Sequence, residues 1–185
     1  MKSIVTPKKM STRELCYIGI CVAATAVLAQ ISIPLPLGVP LALHTFAVML
    51  TGIILGAKKA AIALLVYLLL GAVGVPVFTQ FGGGFHRIIG PWGGFLMSFP
   101  FMAFVVGLGA EKGKKLWLVI SLMAGAVINL SAGMLWLAFV NEVSLGEAFA
   151  AAFAPFIIVE TIKIVMAFSI GLPVRHNLSK GGILL

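Results

Sequence analysis

Apolar residues run through the chain in six long stretches, at about 12–31, 41–55, 60–75, 93–110, 116–140 and 148–172. Short polar breaks or glycine- and proline-rich connections separate them. Several approach the ~20 residues that a helix needs to cross hydrocarbon. The second and third are shorter, which points to tilt or to a mouth where the protein does not cross the full bilayer. No long polar stretch follows any run, and nothing repeats at a period of roughly 20–50 residues. The pattern predicts one membrane domain over 1–185, all-α, with six transmembrane helices joined by ordered outer loops.

Composition supports that solvent assignment. Of 185 residues, 61% are hydrophobic and 10% charged, with a mean hydropathy of +1.17. A soluble domain of this size is about half apolar and about a quarter charged. One small core cannot hide the excess, so lipid must be the solvent for much of the surface. The start, MKSIVTPKKMSTR before an apolar run with Ala24-Thr25-Ala26, has the outline of a signal peptide. It is read here as a retained first transmembrane helix. Cys16 and Cys21 lie five apart on that helix and point in different directions, so they read as packing residues, not a disulfide.

The net charge of +8 raises the possibility of nucleic acid. A nucleic-acid face, however, clusters its bases among polar and aromatic groups. Here the bases come in small groups between apolar runs. With the N-terminus placed in the cytoplasm, Lys2, Lys8, Lys9, Arg13, Lys58, Lys59, Lys112, Lys114, Lys115, Arg175 and Lys180 all fall on the inner side of six crossings. Of the 13 basic residues, just Arg87 and Lys163 fall elsewhere. That asymmetry obeys the positive-inside rule and places both termini in the cytoplasm.

The two exceptions carry the functional signal. Lys163 sits in FIIVETIKIVMAF, three residues after Glu160 and inside the last apolar run. One charge at a helix centre costs roughly 2.5–3.5 kcal/mol. At a spacing of three the pair shares a helix face and partly neutralises itself. That face must look into the bundle or a cavity. An internal clamp is one reading, but a buried pair is often no more stabilising than an apolar replacement. A ligand with both donors and acceptors gives Glu160 an acceptor role and Lys163 a donor role.

Two outer loops complete a candidate pocket. QISIPLPLGVPLALHTF cannot be helical through Pro34–Pro40 and reads as an extended, rigid, hairpin-like cap. PVFTQFGGGFHRIIGPWGGF has glycines that allow tight turns and close approach to a ligand. Gln80, His86, Arg87 and Trp92 are its hydrogen-bonding or stacking groups, and an outer Arg87 can hold a carboxylate at two points. Gly82-Gly83-Gly84 lacks the spacing of a phosphate loop. His44 reads as a capping or packing residue, and Asn129 as a hydrogen bond between helices. Trp117 and Trp136 read as interfacial anchors.

No catalytic set emerges. The chain has no aspartate, and Glu160 is its sole acid deep within an apolar run. There is no Ser-His-acid set, no H-E-x-x-H, no dinucleotide fingerprint and no Walker motif. The histidines do not cluster, so neither metal nor cofactor is expected. The chain reads as a non-enzymatic binding protein for something that arrives from outside.

ISIPLPLGVPLALHTFAVMLTGIILGAKK, LLLGAVGVPVF and IIGPWGGFL, in that order, resemble the BioY family, the biotin-specific S components of energy-coupling factor (ECF) transporters. The likeness runs from about Arg13 to Arg175. It implies biotin capture near the outer face of a cell-membrane protein. It also implies partners that supply the energy: a transmembrane coupling subunit and two ATPase subunits. Family members contact the coupling subunit through small residues on helix one; Gly19 with Ala23, or Cys21, Thr25 and Ala29, are the nearest matches. The family's last helix carries an acid and a lysine three apart, usually D-x-x-K. Glu160 and Lys163 match, with a longer acid. Some relatives place an arginine after the GPxGG loop; that position is apolar here, and Arg87 or His86 is the available substitute.

Biotin fits the residues read above. Its ureido ring meets Glu160 and Lys163, its carboxylate meets Arg87, and Phe78, Phe81, Phe85 and Trp92 supply apolar walls around its thioether ring and chain. Three alternatives stand beside it. One is an S component for another vitamin. Another is a stand-alone ion-coupled transporter with Glu160 titrating, for which no inverted repeat appears. The third is a structural subunit clamped by Glu160–Lys163.

Overall fold

The structure is a computed structural model that describes residues 10–33 and 41–180. Within them lie eight helices: α1 (Thr12–Gln30), α2 (His44–Leu55), α3 (Ala57–Ala72), α4 (Phe85–Ile89), α5 (Gly93–Glu111), α6 (Lys115–Asn141), α7 (Leu145–Ala152) and α8 (Ala154–Lys180). A two-residue antiparallel pair, β1 (Ser32–Ile33) with β2 (Leu41–Ala42), joins α1 to α2. It frames the expected hairpin-like cap. Pro34–Pro40 lie outside the described residues, as do Lys2, Lys8 and Lys9.

Among the described residues, four segments are long and apolar enough to cross a membrane: α1, α5, α6 and the stretch from Leu145 to Lys180. α2 and α3 are shorter, at 12 and 16 residues. Large side chains point away from the bundle, among them Val27, Leu69, Phe101, Phe139 and Ile158, each more than 60% exposed. Inside, Met49, Ile53, Leu64, Tyr67, Phe99, Met102, Val106 and Leu122 are fully enclosed. This is a bundle with apolar surface on both sides of its helices, as a lipid solvent requires.

Three element boundaries depart from the hydrophobic pattern. α2 and α3 meet at one residue, Gly56, so Lys58 and Lys59 sit in the first turn of α3 and not in a loop. Gly56 has φ +76°, and a Cβ there would meet Glu111 at 2.5 Å. The corner is held from two sides: Glu111 Oε1 accepts from Ala57 N–H at 2.8 Å, and the Arg175 guanidinium donates to Ile53 O at the end of α2. The last apolar run is divided into α7 and α8, because Pro155 offers no N–H to Ala151 and its ring crowds that carbonyl. α8 then continues through Pro173 to Lys180, which places Arg175 within the helix. Arg87, expected in a loop, lies on the short α4.

α5 packs along α6 in the most extensive helix pair, and α2, α3 and α8 close around it. α1 lies at the edge. Ile18, Cys21, Val22, Thr25 and Ala29 face inward, while Gly19, Ala23 and Val27 are exposed.

Candidate functional site

The two charges of FIIVETIKIVMAF meet inside the bundle. Lys163 Nζ donates to Glu160 Oε1 at 2.7 Å, and the residues are only 3% and 4% exposed. Both project from α8 toward the start of α2. There Thr45 donates its hydroxyl to Glu160 Oε1 at 2.8 Å and accepts from Lys163 Nζ at 2.8 Å. Two charges and one hydroxyl thus form a closed triangle between α8 and α2.

The triangle is incomplete as a hydrogen-bond network. Glu160 Oε2 has no partner among the described residues, and neither does Nδ1 of His44, the residue before Thr45. Buried polar atoms are nearly always paired, and an orphan costs about 1–3 kcal/mol. Two unpaired atoms, one on the charged pair and one on the residue next to Thr45, mark a place that a further polar group can fill.

An aromatic series leads from His44 to the loop that follows α3. The His44 ring lies 4.9 Å from Phe99, Phe99 is 6.4 Å from Tyr67, and Tyr67 is 5.6 Å from Phe78. Tyr67 also donates its hydroxyl to Val77 O at 2.9 Å. Phe78 is 2% exposed and anchors the loop in the core.

The other expected site residues lie around this loop. Gln80 and Phe81 form its tip, with Phe81 73% exposed; Phe85 is 62% exposed. His86 and Arg87 ride on α4, which rests against α3 and α5. Arg87 is half-buried, with its guanidinium against Gly82. Trp92 is half-buried and packs on the cluster of Phe95, Leu130, Leu137, Ala148, Ala152 and Phe156. Phe156 of that cluster is one helical turn before Glu160 on α8. No hydrogen bond among the described residues joins Gln80, His86 or Arg87 to the triangle.

Several polar residues have structural duties. Asn129 donates to Phe95 O at 3.0 Å and Ser98 Oγ at 2.7 Å, tying α6 to α5. Trp136 donates to Gly90 O at 2.9 Å. Cys16 and Cys21 are free thiols. His44 packs on Phe99, as a packing residue would, yet keeps its unpaired nitrogen. Thr45 was not singled out from the sequence. A threonine opening an apolar helix is an ordinary helix-start residue, and nothing in one sequence places it beside residues more than 100 positions away.

Known proteins are similar along nearly the whole chain. A family model described as the BioY family matches residues 3–180. The chain is 40% identical over 168 residues to the probable biotin transporter BioY of Pyrococcus horikoshii, covering 91% of this chain and 99% of that protein. It is 41% identical over 165 residues to the biotin transporter BioY of Thermotoga maritima, covering 88% and 96%. Its fold is similar to a crystal structure described as the S-component for biotin from an ECF-type ABC transporter. The TM-score is 0.82 at 26% identity, with 91% of this chain and 95% of that one covered.

Proposed function

This chain belongs to the BioY family, and from that premise we propose that it captures biotin as the S component of an ECF-type importer. The observation that carries the reading is the Glu160–Thr45–Lys163 triangle with its unpaired Glu160 Oε2 and His44 Nδ1. A ureido ring offers two N–H donors and one carbonyl acceptor. Glu160 accepts an N–H, the Lys163 ammonium donates to the carbonyl, and the His44 nitrogen is a further polar contact. Phe81, Phe85 and Trp92 enclose the thioether ring and chain, with Phe78 anchoring the loop beneath them and Gln80 at the loop tip. Arg87, with His86 beside it, takes the carboxylate. The chain is a binding protein and catalyses no reaction.

The rest of the assembly follows from the same reading. The chain forms one domain in the cell membrane and crosses it six times, through α1, α2, α3, α5, α6 and α7–α8, with both termini in the cytoplasm. A coupling subunit docks on α1, and two ATPase subunits supply the energy. Gly19 and Ala23 are exposed on α1, whereas Cys21, Thr25 and Ala29 are buried against the rest of the chain. Gly19 and Ala23 are therefore the small residues that a partner helix can approach closely.

The test is calorimetry of biotin on the purified chain beside Lys163→Met and Glu160→Gln. Each substitution is expected to weaken binding at least tenfold, or about 1.4 kcal/mol. Tight binding that ignores both would make the triangle a clamp and move the site elsewhere. No binding by the unsubstituted chain would end the biotin reading.

A further inference from the structure

The outer loop contains the most unusual backbone in the described chain. Gln80 and Phe81 have φ +59° and +52°, two consecutive non-glycine residues in the left-handed region. Each costs of the order of 1–3 kcal/mol and persists only where surrounding contacts hold it. Here the contacts can be traced. Phe78 and Gly82 exchange backbone hydrogen bonds of 2.9 and 3.2 Å across the base of the turn. Tyr67 and Gly71 of α3 hold the flanks at Val77 O and Gly84 N–H.

The tip itself is held from α1. Gln30, the last residue of that helix, uses both ends of its amide. Oε1 accepts from Phe81 N–H at 2.7 Å, and Nε2 donates to Phe78 O at 3.1 Å while also bonding its own helix at Ala26 O, 2.9 Å away. Nε2 lies 3.4 Å from Val77 O as well. One side chain therefore fixes the strained tip to the end of α1. Without it, Phe81 N–H loses its partner and the left-handed pair loses the contact that opposes its strain.

We infer that Gln30 is a positioning residue for ligand retention: its amide latches the Gln80–Phe81 tip to α1 and so slows escape of the bound molecule. The inference rests on the biotin reading, with the loop lining the same pocket. It gives α1 two roles, because the helix whose exposed face carries Gly19 and Ala23 also holds the loop through Gln30. A displacement of α1 by a partner would act directly on the latch.

The experiment compares the full-length chain with Gln30→Met, close in size but unable to make these bonds, and Gln30→Glu, which keeps the acceptor for Phe81 N–H. Hydrogen exchange is followed in ligand-free protein for the segment 77–82 and for α3. Dissociation of labelled biotin is timed in parallel. Gln30→Met is expected to speed exchange at 77–82 at least tenfold with α3 unchanged, and to raise the dissociation rate about tenfold with little change in association. Gln30→Glu recovers part of both effects. Unchanged exchange overturns the latch. Faster exchange with unchanged dissociation overturns its role in retention. If the unsubstituted chain binds no biotin, the biotin reading and the retention role fail together, while exchange still decides whether the latch exists.

Discussion

Replacing Thr45 by valine gives the sharpest test of how the buried charges are organised, because it keeps the shape and removes only the hydroxyl. In the native chain that hydroxyl supplies one donor to Glu160 Oε1 and one acceptor for Lys163 Nζ, both at 2.8 Å. Hydrogen bonds to charged groups contribute roughly 1.5–3 kcal/mol each. The direct 2.7 Å contact between Lys163 and Glu160 survives the substitution and takes up part of the loss. The net cost is therefore about 1.5–3 kcal/mol, not the sum of both bonds. That cost falls on folding; with the carboxylate and ammonium no longer oriented by the hydroxyl, biotin affinity is also expected to fall at least tenfold, a factor equal to about 1.4 kcal/mol.

A double-mutant cycle makes the argument exact about cause. Thr45→Val, Glu160→Gln and the pair together are compared by calorimetry and by thermal unfolding in detergent. Residues that share a network couple by about 0.5–3 kcal/mol, whereas independent sites add to within about 0.5. A coupling of about 1 kcal/mol or more is expected in binding. Additive effects, or a Thr45→Val protein that binds and melts like the native one, would show that α2 takes no part in the site.

Three further predictions concern packing and assembly. A Cβ on Gly107 would lie 2.3 Å from Ala57 N and 2.5 Å from Gly56 C, backbone atoms that cannot turn aside, so Gly107→Ala should cost about 1–3 kcal/mol of stability. Gly19 has nothing within 4 Å of the same position; Gly19→Ala should therefore leave the melting temperature unchanged or raise it, and a loss like that of Gly107→Ala would refute the placement. Gly19→Leu should leave biotin affinity of the isolated chain within about twofold yet reduce co-purification of the coupling subunit. Undiminished co-purification would exclude this face of α1 as the docking surface.

What the sequence made legible divides by range. Segments set by local chemistry were readable: the apolar runs gave α1, α5 and α6 almost to the residue, and the spacing of Glu160 and Lys163 gave their shared face. The α2–α3 corner departs from the pattern because Gly56-Ala57-Lys58-Lys59 reads as a polar break between two apolar runs. The structure replaces that break with one left-handed residue and the Glu111 carboxylate from α5. The break at Phe153 was hidden because Pro155 is embedded in alanines and phenylalanines that continue the apolar run. Thr45 and Gln30 were missed as functional candidates for a common reason. Each acts on residues far away in sequence, and neither type is unusual where it stands.

The choice between a clamp and a binding site can be argued from how two buried polar groups are treated in the same bundle. Asn129, 1% exposed, places its amide donor on Phe95 O and Ser98 Oγ. It ties two helices in the way a clamp should. Glu160 is enclosed to a similar degree, yet one of its carboxylate oxygens is left unpaired, as is Nδ1 of His44 on α2. A clamp gains nothing from that arrangement, because each orphan offsets about 1–3 kcal/mol of what the ion pair contributes, and an apolar pair of similar volume would often hold the helices as well. A ligand that supplies the missing donors turns the same deficit into affinity. The unpaired atoms of FIIVETIKIVMAF and of His44 on α2 therefore support the proposed binding role over that of a clamp.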